Sequence, residues 1–196
     1  MSLRPDLAKI AQHVPDGARV LDIGCGDGEL MAVLRETRHV DARGLEIDPV
    51  EVERAVARGL SVIQGDADRD LVDYPDGAFD VAILSQTLQT AARPDQMLEQ
   101  MLRIGRIAFV SFPNFAYWRM RFSLLLQGRM PVTRHLPVSW YETQNIHHVT
   151  VEDFRQLLRA KGVTVQDSWF FTGEREIGGS GANWRAEYAV FQLSRS

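Results

Sequence analysis

The sequence contains a single cysteine, and this scarcity limits the chemistry open to the protein. Cys25 has no second cysteine with which to form an internal disulfide, so nothing requires an oxidising compartment. Residues 1–6 lack the continuous apolar segment of a signal peptide. No apolar run approaches the ~20 residues that a membrane-spanning helix needs. Together these absences predict a soluble, cytoplasmic protein.

The sequence also lacks an excess of positive charge, internal repeats and low-complexity tracts. Its 22 Lys and Arg against 26 Asp and Glu give a formal net charge of −4. Because a general nucleic-acid binder relies on neutralising phosphates, this balance predicts no nucleic-acid partner, and no membrane partner is expected either. Hydrophobic residues make up 45% of the 196 residues. We therefore expect one domain, residues 1–196, with a sizeable core.

The most informative stretch is a glycine-rich turn that follows a predicted buried strand. Residues 20–23 form an apolar, partly β-branched run typical of a parallel strand that is covered on both faces. Gly24, Gly26 and Gly28 follow, before a predicted helix, with Cys25 as a small spacer. Glycine allows a sharp turn and a close approach of the backbone to a ligand. The amides at the start of the helix would point back toward that ligand.

Hydrophobic patterns along the rest of the chain predict the architecture. Strands and helices alternate up to a fifth strand over 104–112, which predicts a doubly wound, mostly parallel α/β sheet. Two final strands, 163–171 and 187–193, are joined without a helix and suggest an antiparallel finish. A glycine-rich loop is predicted between them. Residues 114–148 form an insertion that is long for a plain connection and contains a helix over 116–126.

Two ligands commonly occupy such a glycine turn, a dinucleotide and S-adenosylmethionine. The dinucleotide fingerprint would place its third glycine at position 29, which is Glu29. Asp22, Asp27 and Glu29 surround the turn with negative charge, which disfavours a pyrophosphate and suits the sulfonium and ammonium groups of S-adenosylmethionine. Its carboxylate can still face the helix N-terminus. The residues favour S-adenosylmethionine, with a dinucleotide as the alternative.

Further candidate binding residues follow the next three strands. Glu46 can accept hydrogen bonds from ribose hydroxyls, although a solvated acid at a strand end is the alternative. Asp66 can accept from an adenine amino group while the Ala67 amide reaches a ring nitrogen, with Asp68 or a simple turn as the competing interpretation. Ser85 ends the fourth strand, where the sheet offers backbone carbonyls to an ammonium group. The predicted cofactor-binding residues are Asp22, Gly24, Cys25, Gly26, Gly28, Glu46, Ile47, Asp66, Ala67 and Ser85.

These residues resemble the class I S-adenosylmethionine-dependent methyltransferases. The resemblance rests on Asp22-x-Gly24-x-Gly26-x-Gly28, on Glu46, on Asp66-Ala67 and on the Phe79-Asp80 strand. It implies a Rossmann-like, seven-stranded sheet with a reversed last strand and a helical insertion after strand five. It also implies S-adenosylmethionine or S-adenosylhomocysteine as the cofactor.

A closer resemblance lies in and around the insertion. Phe112-Pro113-Asn114-Phe115, the stretch from Leu124 to Thr133, Trp140-Tyr141-Glu142-Thr143 and Asn145-Ile146-His147 are similar to the MetW family of methionine biosynthesis proteins. The family pattern has proline where this chain has Gln144. The resemblance covers nearly the whole chain and implies a homoserine O-acyltransferase (MetX-type) partner, with 114–148 as the candidate contact. It supplies no methyl acceptor.

No catalytic apparatus stands out in the sequence. Methyl transfer depends largely on positioning, so the lack of an obvious acid or base decides nothing. No residues show metal-ligand spacing. The alternatives left open are an active small-molecule methyltransferase with an unknown acceptor and a scaffold that binds no ligand. The candidate bases, which packing would also explain, are Tyr117, His135, Tyr141, His147 and His148.

The insertion has an unusual charge pattern. No acidic residue lies between Glu99 and Glu142, whereas six arginines do, accompanied by Trp, Phe, Met and Leu. Arginine with aromatic residues and methionine is enriched in protein interfaces. The alternative is a helix that packs its apolar side on the sheet and solvates its arginines, and binding to a membrane surface is a weaker third interpretation.

Overall fold

A single eight-stranded sheet forms the centre of the computed structural model, which describes residues 3–132, 139 and 142–195. In the order of the chain, the strands are β1 Arg19–Ile23, β2 Asp41–Glu46, β3 Ser61–Gln64, β4 Phe79–Ser85, β5 Gly105–Pro113, β6 Val163–Thr172, β7 Arg175–Ile177 and β8 Tyr188–Arg195. Across the sheet the order is β3-β2-β1-β4-β5-β8-β6-β7. The first five strands in this order are parallel, and β8 runs antiparallel to both of its neighbours.

Eight α-helices accompany the sheet in the described residues. They are α1 Pro5–His13, α2 Glu29–Arg38, α3 Pro49–Ala57, α4 Ala67–Asp70, α5 Pro94–Ile104, α6 Trp118–Gln127, α7 Val151–Ala160 and α8 Ala182–Arg185. Of these, α2 to α5 connect the parallel strands. Proline opens α1, α3 and α5, where the missing amide hydrogen costs nothing because first-turn amides have no partner within the helix. Within the described residues, none of these helices combines the length and the apolar character needed to cross a lipid bilayer.

The predicted fold class is confirmed, with one difference in strand number. The sheet is doubly wound and mostly parallel. The last strand of the chain, β8, runs antiparallel between β5 and β6, and α6 is the helix expected after the fifth strand. The additional strand, β7, lies in the glycine-rich loop and pairs antiparallel with β6, with Thr172 opposite Arg175. Gly173 adopts φ +57°, which permits this two-residue reversal.

The core has one layer on each face of the sheet. Along β1, Leu21 and Ile23 enter the layer that packs under α5 and α7, whereas Val20 enters the layer under α1 and α2. All three side chains are fully buried. This alternation confirms β1 as a central strand that is covered on both faces. The loops that follow the carboxyl ends of the parallel strands therefore lie side by side along one edge of the sheet.

Candidate functional site

The turn after β1 has a backbone conformation that favours glycine. Gly24, Gly26 and Gly28 have φ angles of +69°, +55° and +77°. A Cβ atom on Gly24 would lie 2.5 Å from Oγ1 of Thr87, and one on Gly28 would overlap the side chain of Leu60. By contrast, a Cβ on Gly26 would meet nothing within 4 Å. Gly24 and Gly28 are thus constrained by packing, while Gly26 faces open space.

Two clefts open beside this turn, and Gly24 lines both of them. The smaller, which we term the acidic cleft, has a volume of about 180 Å³ and is lined by Asp22, Asp27, Glu29 and Ser85 among others. The larger, which we term the strand-end cleft, has a volume of about 440 Å³ and lies over the ends of β2, β3 and β4. Every predicted cofactor-binding residue except Gly28 lines one cleft or the other.

Asp22 is the most perturbed acid of the acidic cleft. Its side chain is 3% exposed. Burial, and secondly the negative charge of Glu46, raise the pKa of Asp22 to about 7, while the positive charge of Arg4 works in the opposite direction. A bound cation would favour the ionised form of this carboxyl.

Cys25 is not poised for nucleophilic chemistry. Burial, and then the charges of Asp22 and Glu46, raise the pKa of the Cys25 thiol. A thiol with a raised pKa stays protonated and unreactive. Its Sγ also occupies the space where a side chain on Gly44 would project. These observations support the interpretation of Cys25 as a small spacer.

Glu46 connects the turn to the strand-end cleft. Its Oε2 accepts a hydrogen bond from the Gly26 amide at 2.8 Å. Its Oε1 accepts from the amides of Ile47 and Asp48 at 2.8 and 3.0 Å. Two carboxylate oxygens offer about four acceptor sites, so this carboxylate is held in place by the backbone and can still accept from a ligand.

The two acids after β3 have different surroundings. Asp66 caps α4 by accepting from the Asp68 amide at 3.0 Å, and its own amide donates to Asp70 at 2.7 Å. The carboxylate of Asp68 accepts instead from the amides of Ala92 and Arg93, at 2.8 and 3.5 Å. Both acids and Ala67 line the strand-end cleft. Asp66 also forms an ion pair with Arg69 at 3.5 Å, so each acid has two partners and these contacts do not decide between them as a ligand acceptor.

Sequence reasoning missed a buried polar network at the edge of the acidic cleft. Asp6 of α1 is 1% exposed, and its Oδ2 accepts from the hydroxyls of Ser111 and Ser85 at 3.0 and 3.2 Å. Arg4 donates to Oγ of Ser85 at 3.0 Å and forms an ion pair with Asp6 at 3.3 Å. The network connects α1 to the ends of β4 and β5. A signal was present, because Asp6 lies on the buried face of α1, four residues before Ile10.

The returning end of the insertion borders the strand-end cleft. Gln144, the position that departs from the family pattern, lines it. The amides of Ile146 and His147 both donate to the carbonyl oxygen of Gln89, at 2.9 and 3.0 Å. Among the described residues, Oε1 of Gln89 and Nε2 of His147 are the buried side-chain polar atoms without a hydrogen-bond partner. Such orphan atoms are uncommon and call for a water molecule or a ligand.

The remaining candidate bases are dispersed. Tyr117 is buried, and it lines a separate cavity of about 730 Å³ between α6 and the ends of β5 and β8. Burial, and then the charge of Glu187, raise the pKa of Tyr117. His148 packs edge-on against Phe115, with ring centroids 4.6 Å apart. His135 and Tyr141 lie outside the described residues. No cluster of metal-ligating side chains occurs in the described part of the chain.

Comparison with protein families and curated proteins gives consistent results. The family model "Methionine biosynthesis protein MetW" matches residues 4–193. The chain is 32% identical over 207 residues to the bifunctional methionine biosynthesis protein MetXA/MetW of Rhodopirellula baltica, a match that covers 100% of this chain and 33% of that protein. It is also 30% identical over 168 residues to a ubiquinone biosynthesis O-methyltransferase of Xylella fastidiosa, covering 81% of this chain and 66% of that protein. The chain thus spans only a third of the Rhodopirellula protein.

Solved structures with the same fold include S-adenosylmethionine-dependent methyltransferases. One from Mesorhizobium loti superposes with a TM-score of 0.71 at 18% identity, covering 97% of this chain and 98% of that chain. One from Archaeoglobus fulgidus also gives a TM-score of 0.71, at 14% identity, covering 96% and 91% of the two chains. At these identities the likeness is one of fold, and the fold is that of the class I methyltransferases.

Proposed function

The chain belongs to the MetW family of methionine biosynthesis proteins, and from that premise we propose that it binds S-adenosylmethionine or S-adenosylhomocysteine and acts on methionine biosynthesis through a homoserine O-acyltransferase partner. The observation that carries the ligand assignment is the pair of clefts that meet at Gly24. One is acidic, and the other is lined by Glu46 and Asp66, whose carboxylates can accept hydrogen bonds from a ribose and from an adenine amino group. We place the methionine part of the ligand, with its ammonium and carboxylate groups, in the acidic cleft. The adenosine part then occupies the strand-end cleft.

The charges in the acidic cleft suit this orientation. Asp22, Asp27 and Glu29 line it, and S-adenosylmethionine carries a sulfonium and an ammonium group. Asp22 is buried and its pKa is raised. A bound cation would lower that pKa and so favour the ionised carboxylate, which in turn attracts the cation. A cation bound there would make a stronger electrostatic contact than at an exposed acid.

The backbone of the turn argues against a dinucleotide. A pyrophosphate needs free backbone amides at the glycine turn, yet the Gly26 amide already donates to the carboxylate of Glu46. A phosphate placed there would compete with that carboxylate and would also face Asp22 and Asp27. S-Adenosylmethionine has no phosphate, and its ribose hydroxyls can donate to Glu46 rather than displace it. The geometry therefore favours the ligand that carries no phosphate.

The partner assignment is supported by the fused relative. The Rhodopirellula protein is described as bifunctional, MetXA/MetW, and this chain corresponds to 33% of it. Two activities carried by one chain stay at high effective concentration. We propose that the present chain meets a separate acyltransferase of the MetX type, and that ligand occupancy at the glycine turn modulates that enzyme.

Calorimetric titration with S-adenosylmethionine and S-adenosylhomocysteine tests the ligand. Glu46→Gln should weaken binding, because a hydrogen bond to a buried charge contributes about 1.5–3 kcal/mol, roughly 10- to 100-fold in affinity. Asp48→Asn is the matched control, since Asp48 follows closely in sequence but caps α3 through its contact with the Val50 amide. Absence of binding by the wild-type protein would contradict the ligand assignment.

Acyltransferase kinetics test the second half of the proposal. Homoserine acylation by the purified partner enzyme should change when this protein is added, and the change should depend on the concentration of S-adenosylmethionine. A ligand that alters activity must bind the active and less active states with different affinities. Identical rates with and without the protein, at every ligand concentration, would refute the regulatory role.

A second candidate function, an active small-molecule methyltransferase, is favoured by one observation. The cavity of about 730 Å³ is lined by Pro113, Asn114 and Tyr117, which lie at and just beyond the end of β5. Strand β5 is the neighbour of β4, whose terminal residue Ser85 lines the acidic cleft. The volume of the cavity at the end of β5 lies within the range typical of small-molecule sites. Transfer of a labelled methyl group into a metabolite extract, dependent on Glu46, would support this activity, and the absence of any labelled product would count against it.

A further inference from the structure

Helix α6 and the neighbouring α8 present an exposed cluster of aromatic and apolar side chains. Trp118, Phe122 and Leu125 lie on one side of α6, at the i, i+4, i+7 spacing of a helix face. Trp118 is 37% exposed, Phe122 42%, Leu125 77% and Trp184 of α8 44%. Phe122 lies between the two tryptophans, with ring centroids 6.1 Å from Trp118 and 6.0 Å from Trp184. We term this set, together with Arg121, the aromatic–arginine face.

The buried anchor of α6 lies on the side of the helix opposite this face. Met120 is the buried residue of the helix, and it anchors the opposite side. The Arg121 side chain donates to the carbonyl oxygen of Ala116 at 2.6 Å and stacks over the ring of Trp184 at 5.1 Å. Leu126, 74% exposed, continues the apolar surface. A group of neighbouring apolar side chains that stay exposed to solvent is typical of an interaction site.

The charge of the region indicates what kind of surface would cover it. In the part of the chain that the structure describes, Arg119, Arg121 and Arg129 form no ion pair with a carboxylate. The sequence from 100 to 141 contains no Asp or Glu, and Glu187 lines the cavity that Arg119 and Arg129 also line. A partner surface that combines apolar side chains with carboxylates would complement both properties.

We propose that the aromatic–arginine face is the docking surface for the acyltransferase partner, an inference that rests on the proposed function. A second copy of this chain fits the charges less well, because a two-fold interface centred on the face would bring arginines against arginines. The fused relative supports a heterologous partner, since a MetW unit and a MetXA unit share one chain there. Aromatic and arginine side chains at the centre of such a contact would contribute most of its binding energy.

Direct binding measurements with the purified acyltransferase test this assignment. Leu125→Glu and Arg121→Glu should each reduce the affinity at least tenfold, because one places a charge in the apolar centre and the other reverses the favourable charge. Val56→Glu is the matched control, since Val56 is also an exposed apolar residue on a helix, 53% exposed on α3. Leu125→Glu and Val56→Glu should keep the wild-type melting temperature, and all three variants should keep the wild-type titration with S-adenosylmethionine. Arg121→Glu also removes the contacts of Arg121 with Ala116 and Trp184, so Leu125→Glu is the decisive variant.

The outcomes separate this inference from the proposed function. Wild-type binding that both face variants retain would overturn the docking surface and leave the partnership intact. No association of the wild-type protein, with normal binding of S-adenosylmethionine, would overturn both the partnership and the docking surface. A wild-type dimer that Leu125→Glu dissociates, seen by light scattering without acyltransferase binding, would identify a second copy as the occupant. Binding to phosphatidylglycerol vesicles that Arg121→Glu abolishes, again without acyltransferase binding, would identify a membrane.

Discussion

The glycine turn after β1 and helix α6 follow parallel strands of the same sheet, yet the two regions differ in what satisfies their side chains. Near the turn, two buried carboxylates are internally paired: Glu46 is held by three backbone amides, and Asp6 by two serine hydroxyls. At α6, apolar side chains such as Leu125 and Leu126 lie in solvent. Internal contacts explain the shape of the first region. They do not explain the exposed apolar surface of the second, where we propose that a partner binds.

The difference also separates the base of the insertion from its exposed helix. Asn114, at the start of the insertion, is 2% exposed, and its side chain makes four hydrogen bonds. Its amide nitrogen donates to the carbonyls of Asn183 and Ala186, and its carbonyl oxygen accepts from the amides of Ala116 and Val151. Asn114 thus joins the end of β5 to α6, α7 and α8. The insertion is fixed firmly to the sheet at one end while it exposes apolar surface further along.

Replacing a glycine of the turn should produce the largest effect. Gly26→Ala should reduce the affinity for S-adenosylmethionine by roughly 100-fold or more, because Gly26 lines the acidic cleft and its new methyl group would occupy open space there. Gly17→Ala is a close control: Gly17 also has a positive φ, +69°, and no atom near its Cβ position, but it lines neither cleft. Both variants should lose similar stability. Equal affinities in calorimetric titration would show that Gly26 does not face the ligand.

Removing the side chain at the base of the insertion should produce the next effect. Asn114→Ala leaves the buried amides of Ala116 and Val151 without acceptors, and unsatisfied buried groups cost roughly 1–3 kcal/mol each. We expect a loss of about 2 kcal/mol or more in the free energy of unfolding, measured by chemical denaturation. Asn183→Ala, which removes one exposed contact to the Glu152 amide, should cost less. A loss in Asn114→Ala no greater than in that control would show that the base is not held as described.

The two regions also differ in how much the sequence predicts. The strand Arg19–Ile23 and the glycines that follow were predicted because their signals are local: a β-branched run and residues that tolerate positive φ. The hydrogen bonds of Asp6 to Ser111 and of Asn114 to Ala186 join residues 105 and 72 positions apart, so no local pattern could reveal them. Strand β7 has three residues, too few for a periodic pattern. The exposure of α6 depends on tertiary packing. The sequence alone therefore could not decide whether its apolar residues pack on the sheet or form a protein interface.

Measuring stability and ligand affinity over a pH series should test the role of Asp22 beside the glycine turn. The folded-state pKa of Asp22 is raised from 3.8 to about 7. Its contribution to stability is therefore fully present below pH 3.8 and is lost as the pH rises through about 7. A cationic ligand prefers the ionised carboxyl, so affinity for S-adenosylmethionine should rise up to roughly tenfold from pH 6 to pH 8. Asp22→Asn should bind more weakly and show neither dependence; an unchanged pH profile in this variant would assign the titration to another group.

The smallest expected effect tests the α6 side of the comparison. Leu126 is 74% exposed, so Leu126→Ser removes almost no apolar area that folding has taken from water, and the free energy of unfolding should stay within about 0.5 kcal/mol of the wild-type value. Met120→Ala, on the buried side of the same helix, should cost about 2–5 kcal/mol. A loss above 1 kcal/mol for Leu126→Ser would mean that the exposed leucines stabilise this chain's own fold. An unchanged stability would show that Leu126 does not stabilise this chain's own fold, as the proposed docking surface requires.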